Sequence, residues 1–418
     1  MSFARATIVG AGLAGLSAAV RLVEAGLTVR IADAAPQAGG RCRSYYDPQL
    51  GLIIDNGNHL VLAGNKAVAR FRTTVGATER MAGPDHADFA FADLRSGERW
   101  TIRINDGRLP WWLFARSRRI PGTRTVDYLR FAGLFTGSPS DTVADRIDAH
   151  GPAWQRLLQP VLLAMLNTPP ELGSAELASA VIRESLLRGG MASTPRIARP
   201  NLAAAFIDPA LEWLTAQSVP VSLGKRLRAL VTENDRVISF DWGEASEAVS
   251  DDEVVILAVP PWIATSLLPG ISAPDAFHAI VNAHFAIHPP GGVPAMLGLL
   301  GGTAEWLFAF GDRVSVTVSA ADAIMGVERE KLARRFWADV QHAYGFAAEM
   351  PRWQILKEKR ATFAATPAQD AKRPPSRTPW RNLFLAGDWI QTGLPATIEG
   401  ALRSGEVAAQ LATGIGAR

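Results

Sequence analysis

Apolar and polar positions change period twice within the first forty residues. Residues 6–9 form an apolar run interrupted only by Thr7, the pattern of a buried strand. Residues 13–25 then carry apolar side chains at helical spacing until Gly26, and residues 27–32 form a second buried strand closed by Asp33. Strand, helix, strand predicts the opening of a parallel α/β sheet.

Farther on, two apolar runs, 52–54 and 60–62, flank the polar turn Asp55-Asn56-Gly57-Asn58-His59. Residues 82–120 are strand-like and aromatic (Phe89, Phe91, Trp100, Ile102, Ile104), and 126–187 are helical, with an apolar stretch at 157–166 after Trp154. Asp208 reads as the N-cap of a helix with Pro209 in its first turn. Short strands are predicted at 219–221, 227–232 and 236–240, and a buried parallel strand at 252–260. Further strands fall at 295–300, 306–310 and 314–319, and a last strand at 382–386 precedes a helix over 396–411.

The first crossover carries chemistry. Gly10, Gly12 and Gly15 stand in G-x-G-x-x-G order between strand and helix. Such a loop needs a tight turn at Gly10, a bare backbone beside a diphosphate at Gly12, and close helix packing at Gly15. The diphosphate would rest on free N–H groups, among them those of Leu13 and Ala14, at the positive end of the helix dipole. Asp33, at the end of the next strand, stands where a carboxylate accepts hydrogen bonds from a ribose 2′-hydroxyl. Gly39-Gly40-Arg41 would then bring a guanidinium to the same diphosphate. A nicotinamide enzyme does not need that arginine; Gly-Gly-Arg after an N-terminal glycine fingerprint resembles the superfamily of amine oxidases and carotenoid desaturases, which hold FAD.

At the other end of the chain, Gly387-Asp388 closes the last strand, where a carboxylate can accept hydrogen bonds from ribityl or diphosphate-linked hydroxyls. The helix starting near Ala396 would aim its N–H groups at the pyrimidine end of a flavin.

Charge and composition remove other classes. With 43 basic against 40 acidic side chains, a net charge of +3 and no like-charge block, the chain presents no nucleic-acid footprint. The single cysteine, Cys42, excludes an internal disulfide and fits a reducing compartment; it reads as a reactive thiol or as a buried one. No uninterrupted apolar run reaches the length of a membrane span, since residues 293–310 contain three glycines and Glu305. His284 and His288 have the spacing of a helical metal pair, but Pro289-Pro290 follows and no third ligand is evident, so no metal is expected. Trp111-Trp112-Leu113-Phe114 runs into Arg116, Arg118 and Arg119. This segment would either dock a tunnel entrance on a bilayer or form a buried anchor beside a solvated basic turn.

Gly39-Gly40-Arg41, Asp55-Asn56-Gly57-Asn58-His59, and Leu385-Ala386-Gly387-Asp388-Trp389 through Thr392-Gly393-Leu394-Pro395-Ala396-Thr397-Ile398-Glu399-Gly400-Ala401 together resemble the squalene-associated FAD-dependent desaturases, the hydroxysqualene dehydroxylases of bacterial hopanoid pathways. The similarity spans the whole chain. Asp33 replaces a commoner glutamate, and Asn58 stands where this family leads one to expect glutamine. The resemblance implies an α/β fold: a Rossmann-like FAD-binding domain of the glutathione-reductase type, with amine oxidase topology, interleaved with an α+β substrate domain. The expected division gives residues 1–81, 205–271 and 351–418 to the FAD domain, and 82–204 and 272–350 to the substrate domain. To the contacts above, the resemblance adds Gly40, Gly57, Asn58, His59, Pro395, Thr397, Ile398 and, through its backbone on the adenine, Val231.

The implied reaction is reductive removal of an allylic hydroxyl from a C30 isoprenoid, giving squalene. An unidentified donor reduces FAD, an acid protonates the hydroxyl, and N5 delivers hydride to an allylic cation. His59 is either that acid or a histidine that only hydrogen-bonds cofactor or fold. The alternatives are a phytoene-type carotenoid desaturase with hydride moving to the flavin, a flavin amine oxidase, and a prenyl-lipid carrier without turnover. The expected location is the cytoplasm, either free or peripheral on the inner face of the cytoplasmic membrane.

Overall fold

A computed structural model describes residues 3–414. Five parallel strands form the first sheet, in the order Val221–Leu223, Thr28–Asp33, Arg5–Val9, Glu253–Leu257, Leu383–Leu385. The expected helix is Leu13–Glu24, and it packs against the last helix, Ile398–Thr413. Contact between them is close: Ser17 Oγ donates to Leu402 O at 2.8 Å. Ile8, Ile256 and Leu257 are fully buried, as a parallel sheet covered on both faces requires.

The second sheet has seven strands in the order Trp353–Phe363, Phe277–Phe285, Val314–Val318, Trp306–Ala309, Met296–Leu300, Asp88–Asp93, Arg99–Arg103. All neighbours are antiparallel except Met296–Leu300 with Asp88–Asp93. One face packs on helix Arg329–Tyr344 through Phe285, Leu307 and Val316 against Leu332, Phe336 and Val340. The other face carries an aromatic cluster in which Phe91 stacks on Trp100 at 5.6 Å and meets Trp306 edge-on at 5.6 Å.

Several expectations shift. The strand Trp353–Phe363 belongs to this second sheet, so the boundary expected at 350 falls before it rather than after it. Its alternation is mixed and charged (Lys357, Glu358, Lys359, Arg360), which hides an edge strand from a hydrophobicity reading. His284 lies on the strand Phe277–Phe285, not on a helix, so its spacing from His288 does not put both on one helical face. Asp208 is no N-cap either: a π-helical turn at Ala203–Ile207 runs straight into helix Asp208–Ala216. The same arrangement recurs at Trp154–Leu158 before Gln159–Leu166, where Pro160 takes the place of Pro209. In both, the widened turn accommodates a proline that lacks an N–H and would crowd the carbonyl four residues back.

Candidate functional site

The strand pairing brings the motifs to one edge. Val9 lies beside Ala32 and Leu257, and Leu257 beside Leu385, so Gly10, Asp33, Ala258 and Gly387-Asp388 all leave the sheet at its carboxyl end, where open α/β sheets bind ligands. The three glycines divide as the motif demands. A Cβ on Gly10 (φ 112°) would stand 2.3 Å from the Ala258 carbonyl oxygen, and one on Gly15 would stand 1.9 Å from the Gly10 oxygen. One on Gly12 would meet nothing within 4 Å. Protein thus closes over Gly10 and Gly15, while Gly12 faces open space at the start of the helix beginning with Leu13 and Ala14. This is the cradle a diphosphate needs.

Asp33 is held at the rim, its Oδ2 accepting from Ala11 N at 2.6 Å and Oδ1 from Ala35 N at 2.7 Å. Gly39 N donates to Ala11 O at 2.9 Å, which lays Gly39-Gly40-Arg41 beside the first loop. From there Arg41 reaches Asp388 Oδ1 at 2.6 Å and Ala361 O at 2.7 Å. Two motifs 347 residues apart in sequence therefore meet as one ion pair. Pro260, Trp262, Phe277, Phe363 and Trp389 line a cleft beside that pair.

Asp388 is placed from behind. Gly387 has φ 152°, and a Cβ there would lie 2.5 Å from Trp389 Nε1, which itself donates to Val259 O at 2.9 Å. Arg373, almost wholly buried, donates to the carbonyls of Asp388 (3.2 Å), Trp389 (3.4 Å) and Ile390, to Thr392 Oγ1 (2.9 Å), and to Asp370 (2.9 Å). It holds the whole turn after Asp388. The final helix starts at Ile398, two residues later than expected, because Thr397 is its N-cap and accepts from Gly400 N at 3.0 Å; Pro395 and Ala396 form the approach. Glu399 accepts from Ala67 N and Val68 N, capping helix Lys66–Thr74, whose own Asn65 makes no side-chain cap.

The turn Gly57-Asn58-His59 rests on the second sheet: Asn58 Nδ2 donates to Thr317 Oγ1 at 3.0 Å, and a Cβ on Gly57 would come 3.2 Å from Asn282 Nδ2. Burial and the Arg41 guanidinium hold the His59 pKa down to about 4, with Asp388 opposing, so at neutral pH His59 is an uncharged imidazole. Burial also pushes the Cys42 thiol up to about 12, which makes it an inert thiol rather than a reactive one.

Val231 is not brought to this place. It is 45 % exposed, on the edge strand Ala229–Glu233 of a separate three-stranded antiparallel sheet. The backbone that meets the Asp33 loop belongs instead to Gly224 and Lys225, which donate to Ala35 O and Asp33 O at 2.9 Å. In the aromatic segment, Trp111 is exposed and Arg118 lies 4.5 Å over its ring, but Trp112 is buried edge-on against Tyr128. Arg119 is tied to Leu113 O and Thr125 Oγ1. The anchor and the outward surface expected as alternatives thus occupy successive residues. Among the described residues no group of acidic, histidine or cysteine side chains could hold a metal ion, and no helix is long and apolar enough to cross a membrane.

The family described as flavin containing amine oxidoreductase matches residues 13–413. The chain belongs to that family. It is accordingly an FAD-dependent oxidoreductase, and the cradle at Gly12, with Arg41 and Asp388 across it, fits the cofactor. Among curated proteins, the chain is 50 % identical to a hydroxysqualene dehydroxylase of Rhodopseudomonas palustris, over 98 % of each chain. It is 47 % identical to a hydroxysqualene dehydroxylase of Zymomonas mobilis, over 97 % of this chain and 98 % of that one. Among solved structures, cyclohexylamine oxidase from Brevibacterium oxydans shares the fold, with a TM-score of 0.69 at 17 % identity, covering 99 % of each chain.

Proposed function

We propose that this flavoenzyme removes the hydroxyl of hydroxysqualene reductively and releases squalene. The observation that carries the reading is the similarity to hydroxysqualene dehydroxylases at 50 % identity over 98 % of both chains. When bound, FAD supplies hydride chemistry at its ring. The chain's own residues do the rest. Gly12, Leu13, Ala14 and Arg41 hold the diphosphate, Asp33 the ribose, and Asp388 the ribityl side, while the N-terminus at Thr397 and Ile398 stabilises negative charge on the ring.

His59 is the proposed proton donor. With its pKa near 4, the protonated fraction falls about tenfold for each pH unit above that value. Turnover limited by this acid therefore rises as pH falls from 8 toward 5, and a flat profile would leave His59 as a neutral hydrogen-bonding group. The test of the reaction is product analysis: reduced, anaerobic enzyme is incubated with hydroxysqualene in detergent. Squalene appearing as the flavin reoxidises supports the reading; flavin reduction by phytoene instead would reverse the direction of hydride transfer.

The outward surface beside Trp111 is proposed to rest on an anionic lipid bilayer. Leu109 (80 %), Phe114 (70 %) and Leu129 (56 %) are exposed there, and residues 106–130 contain six arginines against two aspartates. An open depression of ≈ 450 Å³ lined by Phe91, Trp100, Arg116 and Arg119 adjoins it. Phe114→Glu should lower flotation with anionic vesicles while leaving flavin content unchanged; equal flotation of both proteins would reject the surface.

A further inference from the structure

Two neighbouring rungs of the seven-stranded sheet change character across three strands. Trp306, Thr317 and Asn282 pair side by side in one rung, and Phe308, Ser315 and His284 in the next. All six are buried. Each rung runs from an aromatic ring to a hydroxyl to a polar side chain, and the turn 55–59 rests on the polar end. His284 Nε2 donates to Asp55 O at 3.2 Å, so its Nδ1 accepts from Ser315 Oγ at 2.7 Å. Beside it, Asn58 Nδ2 donates to Thr317 Oγ1 at 3.0 Å and to Val316 O at 3.3 Å.

Those bonds decide which way round the Asn58 amide lies. Thr317 gives its hydroxyl hydrogen to Asn282 Oδ1 at 2.8 Å, which leaves its oxygen only to accept; Val316 O likewise only accepts. The Asn58 NH₂ must therefore face the sheet, and Oδ1 must face away from it. Oδ1 is sealed from solvent, and no described residue donates to it. Native folds leave few buried acceptors unpaired, because the desolvation is then uncompensated.

We propose that Asn58 Oδ1 receives the hydroxyl of the substrate and is the group that distinguishes hydroxylated substrate from hydrocarbon product. The proposal rests on the dehydroxylase reading above. A long isoprenoid with one hydroxyl has a single O–H donor, and Asn58, resting on those rungs through its NH₂, offers it one free acceptor on the side turned away from the sheet. As the C–O bond breaks, the oxygen keeps the bonding pair, takes the proton proposed to come from His59 and leaves as water, and the electron-poor carbon left behind would be completed by the hydride that reduced FAD supplies. The departing oxygen's hydrogens become stronger donors on the way, so a fixed amide dipole holds the transition state more tightly than the ground state. Squalene has no donor to offer and is held less tightly.

The test titrates oxidised holoenzyme, which does not turn over, with hydroxysqualene and with squalene, following flavin absorbance. Wild-type protein should prefer hydroxysqualene about tenfold, the scale of one buried hydrogen bond. Asn58→Leu should bind the two equally, with squalene affinity unchanged. Thr317→Val releases the Asn58 amide to rotate and should shrink the preference by a smaller factor, which keeps the test valid should the leucine variant fold poorly. A preference intact in both variants overturns the proposal. So does a displaced flavin band in Asn58→Leu with the preference intact, since Oδ1 would then serve a flavin N–H. Wild-type enzyme that forms squalene without any binding preference overturns this inference alone; reduced enzyme that forms none overturns the underlying reaction.

Discussion

The two sheets hold their chemistry in different ways. The parallel sheet presents its site at strand ends, in backbone: Gly10, Gly12 and Gly387 lie one to three residues beyond a strand, and what matters there is where a Cβ is absent. The seven-stranded sheet presents its site on a face, in side chains contributed by strands far apart in sequence, as Asn282, Thr317, His284 and Ser315 show. An end-on site can be written as a short motif. A face site is a pairing register, and no contiguous stretch spells it.

That contrast can be broken most sharply within the glycine loop itself. Gly15→Ala forces a Cβ into the Gly10 carbonyl and should destabilise the fold by about 3 kcal/mol, seen as a lowered Tm or loss of soluble protein. Gly12→Ala meets no protein atom, so stability without flavin should stay within about 0.5 kcal/mol of wild type while flavin occupancy falls. Equal loss of stability in the two variants would contradict the division between a closed and an open glycine.

A comparable effect is expected behind Asp388. Arg373→Gln removes a buried guanidinium from three carbonyls and from Asp370, which should cost roughly 2–4 kcal/mol and weaken flavin retention together with stability. Retention unchanged in a destabilised variant would confine Arg373 to the fold.

The face site's sheet offers a test that depends on pH. Burial raises the Glu305 pKa from 4.5 to about 7, with the Ser319 N–H opposing. Below pH 4.5 both folded and unfolded chains are protonated at this group and nothing is lost. Between about 4.5 and 7 the unfolded chain releases a proton that the folded one keeps, so stability falls as pH rises, by up to roughly 3 kcal/mol above 7. Glu305→Gln still accepts from Ser319 N and carries no charge, so denaturant midpoints should rise at pH 8 and stay unchanged near pH 4. A variant no more stable than wild type at pH 8 would refute the buried charge.

Legibility followed the same division. The glycine fingerprint, Asp33, the strand at 252–260 and the terminal Gly-Asp could be read because each combines a local period with a residue type that only one conformation tolerates. Arg373 and Glu399 gave no such sign: in sequence they are one arginine in a basic stretch and one glutamate in a helix. Trp353–Phe363 was missed because its charged residues mask an edge strand, whereas the strand of Val231 forms about where its pattern puts it, and that pattern does not say which backbone meets the Asp33 loop.

By itself the sequence determined that this chain opens with a strand, a glycine turn and a helix, that an acid ends the second strand, and that a Gly-Asp pair ends the last one. Backbone sterics and hydrophobic period act over a few residues, and they leave little choice there. Only the tertiary structure decided that Arg41 and Asp388 form one pair, that Trp112 turns inward while Phe114 stays out, and that the Asn58 amide faces Thr317 with its oxygen unpaired. Those outcomes depend on which distant strands become neighbours and in what register, and such contacts follow from the packing of the whole core rather than from any local segment.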